Sequence, residues 1–85
     1  MTRHLVLYTG SLCHLCEQAR DLIYPLLPTG VVLTETVIDN EPVLKARYQQ
    51  RIPVLAVVDG EGQRVAEKSW PFSPGQVRRL LADNL

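Results

Sequence analysis

Thr9-Gly10-Ser11-Leu12-Cys13-His14-Leu15-Cys16 joins an apolar run to a helical pattern. It holds both cysteines of an 85-residue chain, three positions apart. Before it, residues 3–8 (Arg-His-Leu-Val-Leu-Tyr) are mostly apolar, with β-branched and aromatic members, and suit a central strand covered on both faces. After it, Cys16, Ala19, Ile23 and Leu26–Leu27 recur at spacings of three and four, and Glu17, Gln18 and Asp21 fall mostly on the other side. The spacing predicts a helix from His14 to about Tyr24, ended or kinked by Pro25. Cys13 therefore stands where a strand hands over to a helix N-terminus. Free backbone amides and the positive end of the helix dipole favour a thiolate there, and the thiolate is the nucleophile in sulfur chemistry.

Further along, Val31–Ile38 reads as a second strand. Strand, helix and strand within about 35 residues form a βαβ unit, so the two strands are parallel with a right-handed crossover. Asp39-Asn40-Glu41-Pro42 reads as a helix start, with Asp39 or Asn40 as the cap and the helix running to about Gln50. Val43, Leu44, Ala46 or Arg47, and Tyr48 give it a weak apolar face. Pro53–Val58 is a third, buried strand that tolerates proline at its first residue. Asp59-Gly60-Glu61-Gly62 signals a hairpin, and the charged run Arg64–Lys68 fits an edge strand. Ser73 and Gln76 make a capping box for a last helix, with Pro74 in its first turn and a Phe72–Val77 staple. Val77, Leu80 and Leu81 face inward on it, and Arg78 and Arg79 outward.

The order is β-α-β-α-β-β-α. A Cys-x-x-Cys beside a βαβ unit reads as a thioredoxin-like redox motif. The whole chain, 1–85, is expected to be one α/β domain. Nine basic and nine acidic residues cancel, which leaves no field to draw nucleic acid or an anionic membrane. The N-terminus leads into too few apolar positions for a signal-peptide core, and no run spans a bilayer, so the expected location is cytoplasmic. In a reducing compartment a lone cysteine pair is catalytic or metal-binding more often than structural.

Tyr8–Cys16 and Arg51-Ile52-Pro53-Val54-Leu55 resemble the two landmarks of the glutaredoxins. The resemblance covers nearly the whole chain. It is strongest to small bacterial glutaredoxin-like proteins with Cys-His-Leu-Cys, Arg-Ile-Pro-Val-Leu and a Trp-Pro-Phe segment, here Trp70-Pro71-Phe72. It implies a thioredoxin fold with a mixed four-stranded sheet of order 2-1-3-4, flanked by helices. It also implies that Pro53 follows a cis peptide and lies against the cysteines, and that the Ile52 backbone pairs with an extended substrate. The chain departs from common glutaredoxins in three places. His14-Leu15 replaces Pro-Tyr between the cysteines, and Arg51-Ile52-Pro53 replaces Thr-Val-Pro. Lys68–Phe72 stands where a Gly-Gly pair and an acid hold the γ-glutamyl end of glutathione. Glutathione is accordingly expected as a weak co-substrate, and no tightly bound cofactor is expected.

These residues point to a thiol-disulfide oxidoreductase in which Cys13 attacks and Cys16 resolves, acting as a monomer on a protein or small-molecule disulfide. A non-catalytic redox sensor or adaptor on the same fold is the alternative. A structural disulfide closing so short a loop would constrain little chain entropy. Zinc needs about four ligands, and only His4 and His14 are left to join the cysteines. His14 either helps to hold a thiolate at Cys13 or is an exposed member of the motif without effect. Trp70 is read as an anchor for the last helix. Arg20, Arg47 and Arg51 are expected to be solvated.

Overall fold

The computed structural model describes residues 3–85. Its strands are β1 (Arg3–Thr9), β2 (Leu33–Val37), β3 (Val54–Asp59) and β4 (Arg64–Ser69). Its helices are α1 (His14–Ile23), α2 (Pro42–Tyr48) and α3 (Pro74–Asn84). The strands form one sheet in the order β2-β1-β3-β4. β1 and β2 are parallel, with Leu5 opposite Leu33 and Thr9 opposite Val37. β3 runs antiparallel to both β1 and β4. This is the mixed 2-1-3-4 sheet implied by the resemblance.

Successive side chains of a strand point to opposite faces, and each face of this sheet has its own core. Leu5 and Leu7 of β1 and Leu55 and Val57 of β3 pack with Leu33, with Ala19 and Ile23 of α1, and with Phe72, Val77 and Leu81. On the other face Ile38, Tyr48 and Val54 form a smaller cluster, with Tyr8, Leu44 and Ile52 against it. Both central strands are thus covered on both sides, which explains their continuous apolar runs. Burial of Leu7, Leu55 and Val57, all fully buried, stabilises the sheet by roughly 1.5–3 kcal/mol per side chain.

Pro25 ends the α-helical pattern as expected. Tyr24–Leu26 tightens into a 3₁₀ turn instead of a further α turn, because proline lacks the amide that an α turn requires. Around α3 the capping box forms, with Gln76 N donating to Ser73 Oγ at 3.1 Å and Ser73 N donating to Gln76 Oε1 at 2.8 Å. Phe72 and Val77 lie in one core cluster. Asp59 closes the β3–β4 hairpin by accepting from the amides of Glu61 and Gln63.

Most boundaries fall within a residue of the sequence expectation, and the larger differences lie in β2 and α2. β2 begins at Leu33, not Val31, since Val31 N turns back to Pro28 O and Val32 is exposed. α2 ends at Tyr48, and both Arg51 N and Ile52 N fold back onto Tyr48 O. Neither Asp39 nor Asn40 caps α2. Glu41 occupies that place with no side-chain bond to the helix, while Pro42 takes the first turn as expected. Val43, expected on the apolar face, is exposed, and the buried contact of α2 is made chiefly by Tyr48.

Candidate active site

β1 carries the chain into the middle of the sheet and ends at buried Thr9, so the cysteine loop starts from a fixed point. Asp39 fastens that loop. Its Oδ2 accepts from Ser11 N at 3.3 Å and from the Ser11 hydroxyl. The carboxylate read from sequence as a helix cap is a loop brace instead, because capping and bracing use the same acceptor. Leu12 follows, fully exposed.

Cys13 is the N-cap of α1. Its backbone is extended, at φ −129° and ψ 97°, and its sulfur accepts from Cys16 N at 3.2 Å. The Cys16 amide and the positive end of the α1 dipole both favour negative charge on this sulfur. Cys13 and Cys16 are joined as a disulfide, with Cα atoms 5.2 Å apart. They differ in access: Cys13 is partly exposed and Cys16 is fully buried. One sulfur is open to a partner and the other stands behind it.

Ile52 comes to the same place from the opposite direction. A Cβ added at Gly10 would lie 2.9 Å from Ile52 Cδ1, 3.6 Å from Asp39 Oδ1 and 4.0 Å from Cys13 Cβ. Gly10 is thus the point where the cysteine loop, its brace and Ile52 meet, and a side chain there would displace the Ile52 side chain while touching Asp39 and Cys13 at ordinary contact distance. Pro53 is buried, and the Ile52–Pro53 peptide is cis. The Pro53 carbonyl accepts from Trp70 N at 2.9 Å. The Ile52 amide is already taken by Tyr48 O at 3.1 Å. That leaves the carbonyl as the remaining backbone hydrogen-bonding group of Ile52.

His14 does not join this group. Its side chain is 83% exposed and its Nδ1 lies 3.3 Å from a Glu17 carboxylate oxygen. A cleft of about 400 Å³ opens beside Cys13, walled by Ser11, Leu12, His14, Glu17 and Arg20. At its far end Arg20 is not free in solvent as expected, because its Nε is paired with Glu35 of β2. Tyr24 also donates to Glu35, at 3.0 Å. These hydrogen bonds to Glu35 raise the pKa of both Arg20 and Tyr24. Arg51 is likewise paired, with Glu67 at 2.8 Å, and lies over the Tyr48 ring. Among the described residues no group of three or more His, Cys, Asp and Glu side chains gathers in a way that could hold a metal ion.

Sequence reasoning missed Asp39 as a brace, Glu67 altogether, and a second cis peptide at Trp70–Pro71. Trp70 meets Phe72 edge to face at 5.1 Å and packs partly buried on the core, as an anchor for α3 should. Tyr48 stacks on Tyr8 at 4.8 Å, and burial, followed by the neighbouring Tyr48, pushes the Tyr8 hydroxyl pKa up.

The family model Glutaredoxin-like domain (DUF836) matches residues 4–82, nearly the whole chain. The chain belongs to this family. Among solved structures, the glutaredoxin-like chain is similar to the structural-genomics target XcR50 from X. campestris, at 30% identity and a TM-score of 0.72. That match covers 93% of this chain and 96% of the other. More distant matches establish the thioredoxin fold alone. Desulfothioredoxin from Desulfovibrio vulgaris Hildenborough is 17% identical with a TM-score of 0.75, covering 98% of this chain and 82% of that one. A mutant thioredoxin from Halobacterium salinarum is 18% identical with a TM-score of 0.73, covering 96% and 74%. No curated protein is significantly similar in sequence. A glutaredoxin-like fold carrying a Cys13–Cys16 pair indicates a redox role. No helix is long and apolar enough to cross a membrane among the described residues.

Proposed function

We propose that this chain is a thiol-disulfide oxidoreductase, acting as a single monomeric domain in the cytoplasm on protein or small-molecule disulfides. The observation that carries the reading is the asymmetry of the sulfur pair. Cys13 caps α1, is open to solvent, and has the Cys16 amide and the helix end to stabilise its thiolate. Cys16 is buried one turn behind it.

Starting from the dithiol, the Cys13 thiolate attacks one sulfur of a substrate disulfide. A Cys13–substrate S–S bond forms, the substrate S–S bond breaks, and one substrate thiolate leaves. Cys16 then loses its proton and attacks the Cys13 sulfur. The Cys13–Cys16 bond forms, the mixed disulfide breaks, and the second substrate thiolate leaves. The dithiol has given up two electrons. An external thiol reductant restores it by the same exchange in reverse. Ile52 and Pro53 serve as the docking segment, with the Ile52 carbonyl accepting from a substrate amide.

Glutathione fits this site weakly. The Trp70 amide is spent on Pro53 O, Pro71 has none, and the Ile52 amide is spent on Tyr48 O. Lys68–Phe72 offers no carboxylate to an ammonium group. The favoured partner is therefore a protein disulfide or another thiol.

The test is trapping. Cys16→Ser incubated with a disulfide-bonded peptide should accumulate a mixed disulfide at Cys13, identified by peptide mapping. Cys13→Ser should accumulate none. A mixed disulfide at Cys16 in the second variant, or none in either, would refute the assignment.

A further inference from the structure

The segment that carries Ile52 and Pro53 is fastened along its length to edge strand β4. Tyr48, at the end of α2, donates its hydroxyl to Glu67 Oε1 at 2.9 Å. Arg51 reaches Glu67 Oε2 at 2.8 Å and Ser69 Oγ at 3.2 Å. Trp70 N donates to Pro53 O at 2.9 Å. Glu67 also accepts from Arg64 at 2.8 Å. Its side chain is only 15% exposed, so it is held by donors from α2, from the loop after it and from its own strand. A carboxylate this covered keeps its charge only when its partners stay in place.

We propose that Glu67 is a positioning residue for substrate docking. It holds Tyr48, whose carbonyl accepts from Ile52 N, and Arg51, the residue before Ile52, and so fixes the direction of the Ile52 carbonyl. This rests on the reading of Ile52–Pro53 as the docking segment. The reason such a clamp matters lies in the hydrogen bonds already spent. Tyr48 O accepts from both Arg51 N and Ile52 N, so a substrate chain is left one acceptor at Ile52. Two-point pairing would orient a peptide by itself. One-point pairing orients it only if the acceptor is rigid. Glu67 takes no part in the sulfur exchange, so its loss should weaken docking and leave the chemistry alone.

The experiment compares wild type with Glu67→Gln and with Arg51→Lys, which keeps the charge but loses the planar fork. Three readouts are taken at neutral pH: steady-state reduction of a disulfide-bonded peptide, the single-turnover rate of the reduced protein with dithionitrobenzoate, and amide hydrogen exchange. Glu67→Gln should raise KM for the peptide severalfold, as the segment that carries Ile52 loosens, with kcat unchanged. The rate with dithionitrobenzoate, which has no amide to dock, should stay that of wild type. Amide exchange at Arg51 and Ile52 should accelerate, and that of β1 should not. Arg51→Lys should show a smaller rise in KM. The proposal is overturned if KM stays within about twofold of wild type in both variants, if the peptide and dithionitrobenzoate rates fall together, or if exchange at Arg51 and Ile52 is unchanged. A wild-type protein that reduces neither substrate would refute the proposed function instead, and the exchange readout would still decide whether Glu67 holds the segment.

Discussion

Replacing Cys13 in two ways separates its role in the helix from its role in sulfur chemistry. The sulfur accepts from Cys16 N at 3.2 Å and is the side-chain cap of α1. α1 has 10 residues and carries Ala19 and Ile23 into the main core, so a frayed first turn loosens more than the loop. Cys13→Ala deletes the acceptor, and losing an N-cap costs about 1 kcal/mol, within a range of about 0.5–2. Cys13→Ser supplies a hydroxyl oxygen, among the best caps. For a chain of this size 1 kcal/mol corresponds to about 4–8 °C in Tm. Measured by circular dichroism in excess reductant, so that no variant gains from a disulfide, Cys13→Ala should melt about 4–8 °C below reduced wild type. Cys13→Ser should melt at or above it. Both should be inactive. Melting of Cys13→Ala within about 1 °C of reduced wild type would show that the sulfur does not hold the helix start. The physical case for a thiolate stabilised at Cys13 would then fail with it.

Other outcomes follow from the same geometry. In the reduced protein iodoacetamide should label Cys13 at least about tenfold faster than Cys16, read by mass spectrometry of timed samples; a faster Cys16 would reverse the assigned roles. Steady-state reduction of a glutathione mixed disulfide should be about tenfold to hundredfold less efficient than with an ordinary dithiol glutaredoxin, since roughly 1.5–3 kcal/mol of charge-assisted contact is missing; parity would mean that another surface replaces the clamp. Glu67 gives a pH signature. Burial opposes its ionisation, but bonds from Arg64, Tyr48 and Arg51 outweigh that and lower its pKa. A carboxyl with a lowered folded-state pKa contributes stability that is present above its unfolded pKa and lost as pH falls through the folded value. Glu67→Gln should therefore destabilise the protein at neutral pH and flatten the acid limb of its stability curve, and a curve parallel to wild type would contradict this.

The parts of the fold legible in the sequence are those dictated by periodicity and local chemistry. β1 and β3 show as continuous apolar runs because both of their faces are covered. α3 announces itself through Ser73, Pro74 and Gln76, each of which does locally what its residue type does in isolation. The cysteine pair shows for the same reason. What was not legible depends on neighbours far along the chain. Asp39 is a good cap by type, yet Ser11, 28 positions away, claims it. Glu67 reads as one charge on an edge strand, and only the sheet brings Tyr48 and Arg51 to it. Arg20 looks solvated until β2 lays Glu35 beside it. Val31 and Val32 have strand propensity, but the turn at Pro28 and Gly30, with φ 85° at the glycine, consumes them.

Multiple turnover separates a catalyst of exchange from a sensor. Catalytic amounts of the reduced protein are mixed with a disulfide-bonded peptide and an excess of thiol reductant, once with a glutathione recycling system and once with a thioredoxin reductase system, and product thiols are counted per protein molecule. Many turnovers in at least one system, abolished by Cys13→Ser, is the predicted result. A single stoichiometric oxidation of the Cys13–Cys16 pair that neither system restores would mean that the pair senses oxidation and does not catalyse exchange.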